Sequence, residues 1–256
     1  MKAVILAGGM GTRLREETEF RPKPMVEIGG RPILWHIMKT LSVQGVNDFV
    51  ICLGYKGDYI KDFFMNYEAR THDITVKLGE NEGLIQHSES VTENWTITLA
   101  NTGATTMTGG RINRIKKYVA GESFLCTYGD GVADINLNAL TNFHKAHGKT
   151  ATVTSVRPMN RFGAMQVDEN NSVTEFAEKP IAEKRVNGGY FIFEPSIFDY
   201  LSDESVLEKE PLERLSSSGE LKAYMHDGFW QPMDTYRETI ELNKLWDTNQ
   251  APWKIW

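Results

Sequence analysis

Five apolar residues in a row, Ala3-Val4-Ile5-Leu6-Ala7, run straight into Gly8-Gly9-Met10-Gly11. A strand with one face in water alternates apolar with polar residues, so an unbroken apolar run bounded by glycines is expected to be buried on both faces. Similar runs return at 49–53, 124–127 and 190–193, 151–156 reads as a further strand, and helical patterns lie between them. Residues 32–43 place Ile33, Leu34, Ile37, Met38 and Leu41 on one helix face, and 57–67, 137–147 and 236–246 show the same spacing. Doubly buried strands alternating with amphipathic helices predict an α/β fold, a mixed, mostly parallel sheet of at least five strands with helices on both faces.

Two regions depart from this rhythm. Residues 74–78 and 95–99 alternate at period two around a polar stretch, which predicts an inserted β-hairpin or loop within an insertion around 71–110. After Phe193 the chain reads as helical again, with a C-terminal helical segment expected around 205–256. Nothing forces a boundary, and 256 residues that are 41% hydrophobic suffice for a single domain with one large core. Cys52 and Cys126 sit inside apolar runs and are expected to be free buried thiols. A net charge of −6 without a basic run speaks against nucleic acid or an anionic membrane as partner. No stretch approaches the roughly 20 apolar residues of a membrane span, and the apolar start is too short for a signal segment, so a cytoplasmic location is expected.

Chemistry concentrates where the strands end. Gly8, Gly9 and Gly11 follow the first strand at the carboxyl edge of the sheet, where open α/β folds bind ligands. Without Cβ atoms their N–H groups can approach phosphate oxygens, and Arg13 adds a cationic fork. The run matches neither G-x-x-x-x-G-K-[ST] nor G-x-G-x-x-G, so taken alone it is an anion cradle or a glycine turn for strand exit. Pro22 and Pro24 stiffen the loop around Lys23, which suits it to hold phosphate, against the ordinary alternative of a solvated lysine. Asp130, between Gly129 and Gly131, suits a Mg²⁺ ligand and equally an Asp-Gly turn. Asp234 opens the helix at Tyr236, where it completes a metal site or caps the helix. Glu178-Lys179-Pro180 offers another proline-fixed lysine, and Asn187-Gly188-Gly189 offers amide and backbone donors. Thr106 and Thr108-Gly109-Gly110-Arg111 enter a further helix whose N-terminus can face an anion or a base. The six histidines are expected at the surface or the core edge, none of them catalytic.

Taken in order, Gly-Gly-x-Gly-Thr-Arg, Pro-Lys-Pro, Gly-Asp, Glu-Lys-Pro and Asn-Gly-Gly resemble the motif series of the sugar-1-phosphate nucleotidylyltransferases. Residues 24–30, 34–39, 143–149 and 229–234 are similar to the branch of that family that transfers cytidylyl groups to glucose 1-phosphate. Leu14-Arg15-Glu16-Glu17-Thr18 lacks the proline that thymidylyl-transferring members commonly carry soon after Thr-Arg, which favours the same branch. The resemblance implies a Rossmann-like sheet of the nucleotide-diphospho-sugar transferase type. It implies the reaction CTP + α-D-glucose 1-phosphate → CDP-glucose + pyrophosphate, with Mg²⁺ as cofactor. A homo-oligomer, a hexamer, is implied as well, with a product that supplies the dideoxyhexoses of bacterial lipopolysaccharide O-antigen.

The resemblance also implies residue roles. Leu6, Ala7, Gly8, Gly9, Met10, Gly11, Thr12 and Arg13 would hold the nucleotide, with Gly8 near the base, and Lys23 would neutralise the α-phosphate. Thr106, Arg111 and Gly129 would bind nucleotide, and Asp130 and Asp234 would hold Mg²⁺. Gly163, Glu178, Lys179 and Asn187 would take the sugar phosphate. Arg13 and Lys23 are the catalytic candidates. Because a sugar phosphate is already ionised at pH 7, the expected chemistry is direct in-line displacement without a protein nucleophile or general base. Two other readings stay open: a UTP- or dTTP-using enzyme of the same architecture, and a catalytically silent nucleotide-binding regulator. The regulator would not need Arg13, Lys23, Asp130, Lys179 and Asp234 together.

Overall fold

A computed structural model of the chain describes residues 1–11, 14–79, 83–87, 93–119, 121–159, 162–178 and 180–256. Ala3–Ala7 is buried along its whole length and pairs in parallel with Asp48–Leu53 on one side and Phe124–Tyr128 on the other. From edge to edge the sheet runs Leu221–Met225, Ala151–Val156, Val186–Phe193, Phe124–Tyr128, Ala3–Ala7, Asp48–Leu53 and Thr96–Asn101. Val186–Phe193 is antiparallel to both neighbours, and the remaining neighbours pair in parallel. The sheet is thus mixed and mostly parallel, as the apolar runs predict.

Successive strand residues point to opposite faces, and the core divides along that alternation. Ala3, Ile5 and Ala7 join one layer with Ile51 and Leu125, together with Ile33, Ile37 and Leu41 of helix Ile33–Ser42 and Leu140 of helix Leu137–His147. Val4 and Leu6 join the other with Cys52, Cys126, Ile112 of helix Thr108–Arg114 and Leu215 of helix Glu210–Ser217. Both cysteines are buried free thiols, and burial pushes the Cys52 thiol up to about 12. In helix Ile33–Ser42 the five residues at helical spacing are all buried, each worth about 1.5–3 kcal/mol relative to exposure. Among the described residues no helix is long and apolar enough to cross a membrane.

Several elements differ from the periodicity reading. Trp95 to Leu99 was expected to form part of an inserted hairpin, yet Thr96–Asn101 is the parallel edge strand beside Asp48–Leu53. At this edge Ile97, Thr98 and Leu99 are only half-buried, so threonines alternate with apolar residues and mimic a hairpin arm. The hairpin partner of Asp73–Lys77 is instead Gly83–His87. The helix expected over 57–67 breaks at Asn66 into Gly57–Met65 and Tyr67–Thr71. Region 205–256 is not helical throughout: Leu221–Met225 is a sheet edge, and Trp230–Pro232 pairs with Gly131–Ala133. His36 and His144 lie in the core rather than at its edge. His36 Nε2 bonds the Ile28 carbonyl at 2.8 Å, and Trp253 Nε1 donates to His36 Nδ1 at 3.3 Å. An indole N–H only donates and a carbonyl only accepts, so the neutral Nε2–H tautomer is the form that satisfies both.

Candidate active site

The carboxyl ends of Ala3–Ala7 and Phe124–Tyr128 open onto a cavity of about 320 Å³. Its wall includes Leu6, Ala7, Gly8, Gly9, Gly11, Lys23, Thr106, Arg111, Gly129 and Asp130, ten of the residues singled out from the sequence. Pro24, Met107, Thr108 and Tyr128 complete it. Met10 does not line it, and its side chain is exposed. Thr12 and Arg13 lie outside the described residues.

Arg111 forms the buried side of the cavity. Its Nη1 donates to the Leu53 and Gly103 carbonyls at 3.0 and 2.8 Å and to Thr102 Oγ1 at 2.8 Å, while Nη2 donates to the Gly8 carbonyl at 3.0 Å. One arginine thereby ties the glycine loop to the loop after the edge strand. A Cβ on Gly8 would lie 2.2 Å from the guanidinium carbon, so glycine is required there because the arginine lies flat against it. Burial lowers the Arg111 pKa, but a guanidinium stays charged, leaving a fixed positive charge beside the cavity.

Lys23 lies in a short turn, Lys23–Met25, that the extended Pro22 introduces, and it is buried. Its Nζ stands 2.6 Å from Asp130 Oδ2 and 2.6 Å from Asp234 Oδ1. Burial works to lower its pKa, and the attraction of Asp130 and then Asp234 outweighs that, so the ammonium is held charged and its pKa is raised. The two aspartates meet because Gly131 pairs opposite Pro232 and Met233 N donates to the Asp130 carbonyl at 2.8 Å. Asp234 does not cap the following helix. Thr235 does, in a capping box with Glu238, so the Asp234 carboxylate is directed to the site.

The sugar-phosphate candidates are grouped differently. Gly163 and Glu178 adjoin at the base of the ribbon Ala164–Val167 and Val173–Ala177, where a Cβ on Gly163 would lie 3.2 Å from Glu178 Oε2. Asn187 lies at the start of Val186–Phe193, and its Oδ1 accepts from Gly189 N at 2.8 Å. Lys179 lies outside the described residues. Thr108 stands in the helix-opening segment that the sequence offers to an anion or a base, and it does line the cavity. Tyr128 carries no role in the sequence reading, where the available signal is that it directly precedes Gly129-Asp130.

The model of the family described as "Nucleotidyl transferase" matches residues 2–245 of the chain. The chain belongs to the nucleotidyl transferase family. It is 52% identical over the full length of both chains to a glucose-1-phosphate cytidylyltransferase of Salmonella typhi, and 45% identical, again full length, to a probable one of Bacillus subtilis. The fold is shared with UDP-glucose pyrophosphorylase in complex with UDP-glucose, at a TM-score of 0.70 and 17% identity over 97% of this chain and 98% of that one.

The donor set of this nucleotidyl transferase fits a magnesium ion. Asp130 Oδ2 and Asp234 Oδ1 converge on the Lys23 ammonium, so two hard oxygen donors from distant parts of the chain stand together. Magnesium is commonly bound through one or two carboxylates, with water and substrate phosphates filling the remaining positions. Among the described residues no cluster of three or more His, Cys, Asp or Glu offers a cage built from protein alone.

Proposed function

We propose that this nucleotidyl transferase joins CTP to α-D-glucose 1-phosphate, giving CDP-glucose and pyrophosphate. The observation that carries the reading is 52% identity, without a gap in coverage, to the Salmonella typhi glucose-1-phosphate cytidylyltransferase. The cavity at the carboxyl edge of the sheet supports it, because that is where an open α/β fold takes a nucleotide.

Two substrates bring roughly six negative charges together, so the chemical problem is repulsion and alignment. Gly8, Gly9 and Gly11 border the nucleotide with Leu6, Ala7 and Gly129, and Thr106 stands on the opposite wall. Arg111 supplies fixed positive charge and holds the glycine loop in place. Lys23 takes the α-phosphate, where its charge opposes the negative charge that grows during displacement. Thr12 and Arg13 follow the triphosphate, and Gly163, Glu178, Lys179 and Asn187 hold the sugar phosphate. Asp130 and Asp234 hold Mg²⁺. When bound, Mg²⁺ acts as a Lewis acid on the phosphoryl oxygens. An ionised sugar phosphate needs no base to attack, so the protein orients it in line and forms no covalent adduct.

The reading includes a homo-oligomer, a hexamer, working in the cytoplasm, and light scattering tests the assembly. The reaction is tested by mass analysis of the products from CTP, glucose 1-phosphate and Mg²⁺, with acid quenching during turnover. CDP-glucose with unlabelled protein supports it. A nucleotidylated protein would overturn the direct displacement.

A further inference from the structure

The phenol of Tyr128 stands between the two groups of substrate residues. Its ring lines the nucleotide cavity and packs against Gly189, whose φ is +76° and where a Cβ would lie 2.5 Å from Tyr128 Cδ2. On its other side it meets Phe191 edge-on, with ring centroids 6.2 Å apart. The second glycine of Asn187-Gly188-Gly189 is therefore needed both for its backbone conformation and for the ring beside it.

The hydroxyl of Tyr128 belongs to a chain of bonds with one possible direction. An ionised carboxylate only accepts, so Tyr128 Oη donates to Glu208 Oε1, and Thr108 Oγ1 donates to Glu208 Oε2 at 2.7 Å. Leu207 N in turn donates to Thr108 Oγ1 at 2.9 Å. Gly189, against which the Tyr128 ring packs, donates its N–H to Asn187 Oδ1 at 2.8 Å. Glu208 spends both oxygens on hydroxyls that line the nucleotide cavity, and through one of them it holds the ring against the glycine that positions Asn187.

We propose that Glu208 is a positioning residue that couples the nucleotide cavity to the sugar-phosphate site through Tyr128, whose ring it holds against Gly189, and through the Gly189 N–H bond to Asn187. This rests on the reading of Asn187 as a sugar-phosphate residue. Replacing Glu208 by Gln puts an NH₂ group in place of one acceptor. With the Gln oxygen facing Thr108, the Tyr128 hydroxyl loses its acceptor and the ring its anchor against Gly189.

The test is a cycle of Glu208→Gln, Tyr128→Phe and the double variant, with glucose 1-phosphate varied at saturating CTP and thermal midpoints as a folding control. Phe keeps the ring that packs on Gly189. Each single change is expected to raise KM for glucose 1-phosphate about fivefold, with kcat within about twofold. The double variant should match Tyr128→Phe alone, because Glu208 acts through the phenol. An unchanged KM in Glu208→Gln, or a double variant equal to the product of the singles, would overturn the proposal. A wild-type chain that does not turn over would count against the proposed reaction alone. Calorimetric binding of glucose 1-phosphate to the same four proteins then decides the coupling by the same pattern.

Discussion

Asp130 and Asp234 are neighbours because the strand after the first pairs with the strand before the second, and each puts a carboxylate oxygen 2.6 Å from Lys23 Nζ. A lysine stiffened by two prolines and two carboxylates from distant parts of the chain thus share one point beside the nucleotide cavity. Backbone pairing sets the geometry, so substitutions at these three positions should alter chemistry before they alter fold.

Lys23→Ala removes the charge proposed to face the α-phosphate. If charge stabilisation carries the rate, kcat is expected to fall on the order of 10²–10³, by analogy with the loss of one oxyanion donor. Steady-state kinetics on the folded variant checks this. A loss below about tenfold would reduce Lys23 to a general binding role.

Asp234→Asn should weaken the proposed hold on Mg²⁺. Chelation is expected to stop turnover in the wild type and added Mg²⁺ to restore it. The variant should need at least about tenfold more Mg²⁺ for half-maximal rate. An unaltered Mg²⁺ titration would remove Asp234 from the metal site.

The sheet was legible because a strand covered on both faces must be apolar throughout, and 3–7, 49–53 and 124–127 announce that condition without ambiguity. Thr96–Asn101 escaped because half-burial at the sheet edge lets threonines alternate with Ile97 and Leu99, as in a hairpin arm. Gly8 was read as an opening for phosphate, whereas the residue lying against it, Arg111, comes from a helix far along the chain. The residues alone offer Asp130 and Asp234 as metal ligands or as a turn and a cap, and the motif resemblance favours the metal, since neither spacing nor composition shows that they face each other. The bond between Tyr128 and Glu208 joins a strand end to a distant loop and leaves no pattern in the sequence.

Arg111→Met tests the stitching of the glycine loop. The carbonyls of Leu53, Gly8 and Gly103 would lose a donor in a largely buried setting, at about 1–3 kcal/mol for each that water does not reach. A total destabilisation of about 2–4 kcal/mol is expected in urea unfolding, with a raised KM for CTP. A variant as stable as the wild type would show that the loop holds its shape by other means.

His36 makes stability depend on pH. Burial pushes its pKa down to about 4, against an ordinary value of 6.5, so the unfolded chain binds a proton that the folded one refuses. The stabilisation is complete above pH 6.5 and is lost as pH falls towards 4. Between pH 7 and pH 5 the wild type should lose about 2 kcal/mol more than His36→Gln does. Parallel urea curves at both pH values would contradict the assignment of His36 as a buried neutral group.

The most direct test of the account is pyrophosphate release from glucose 1-phosphate and Mg²⁺, with CTP, UTP, dTTP, ATP and GTP offered separately. The account predicts a clear preference for CTP and CDP-glucose as product. Preferred turnover with UTP or dTTP would contradict the cytidylyl assignment while leaving the displacement chemistry standing, and silence with all five would contradict both.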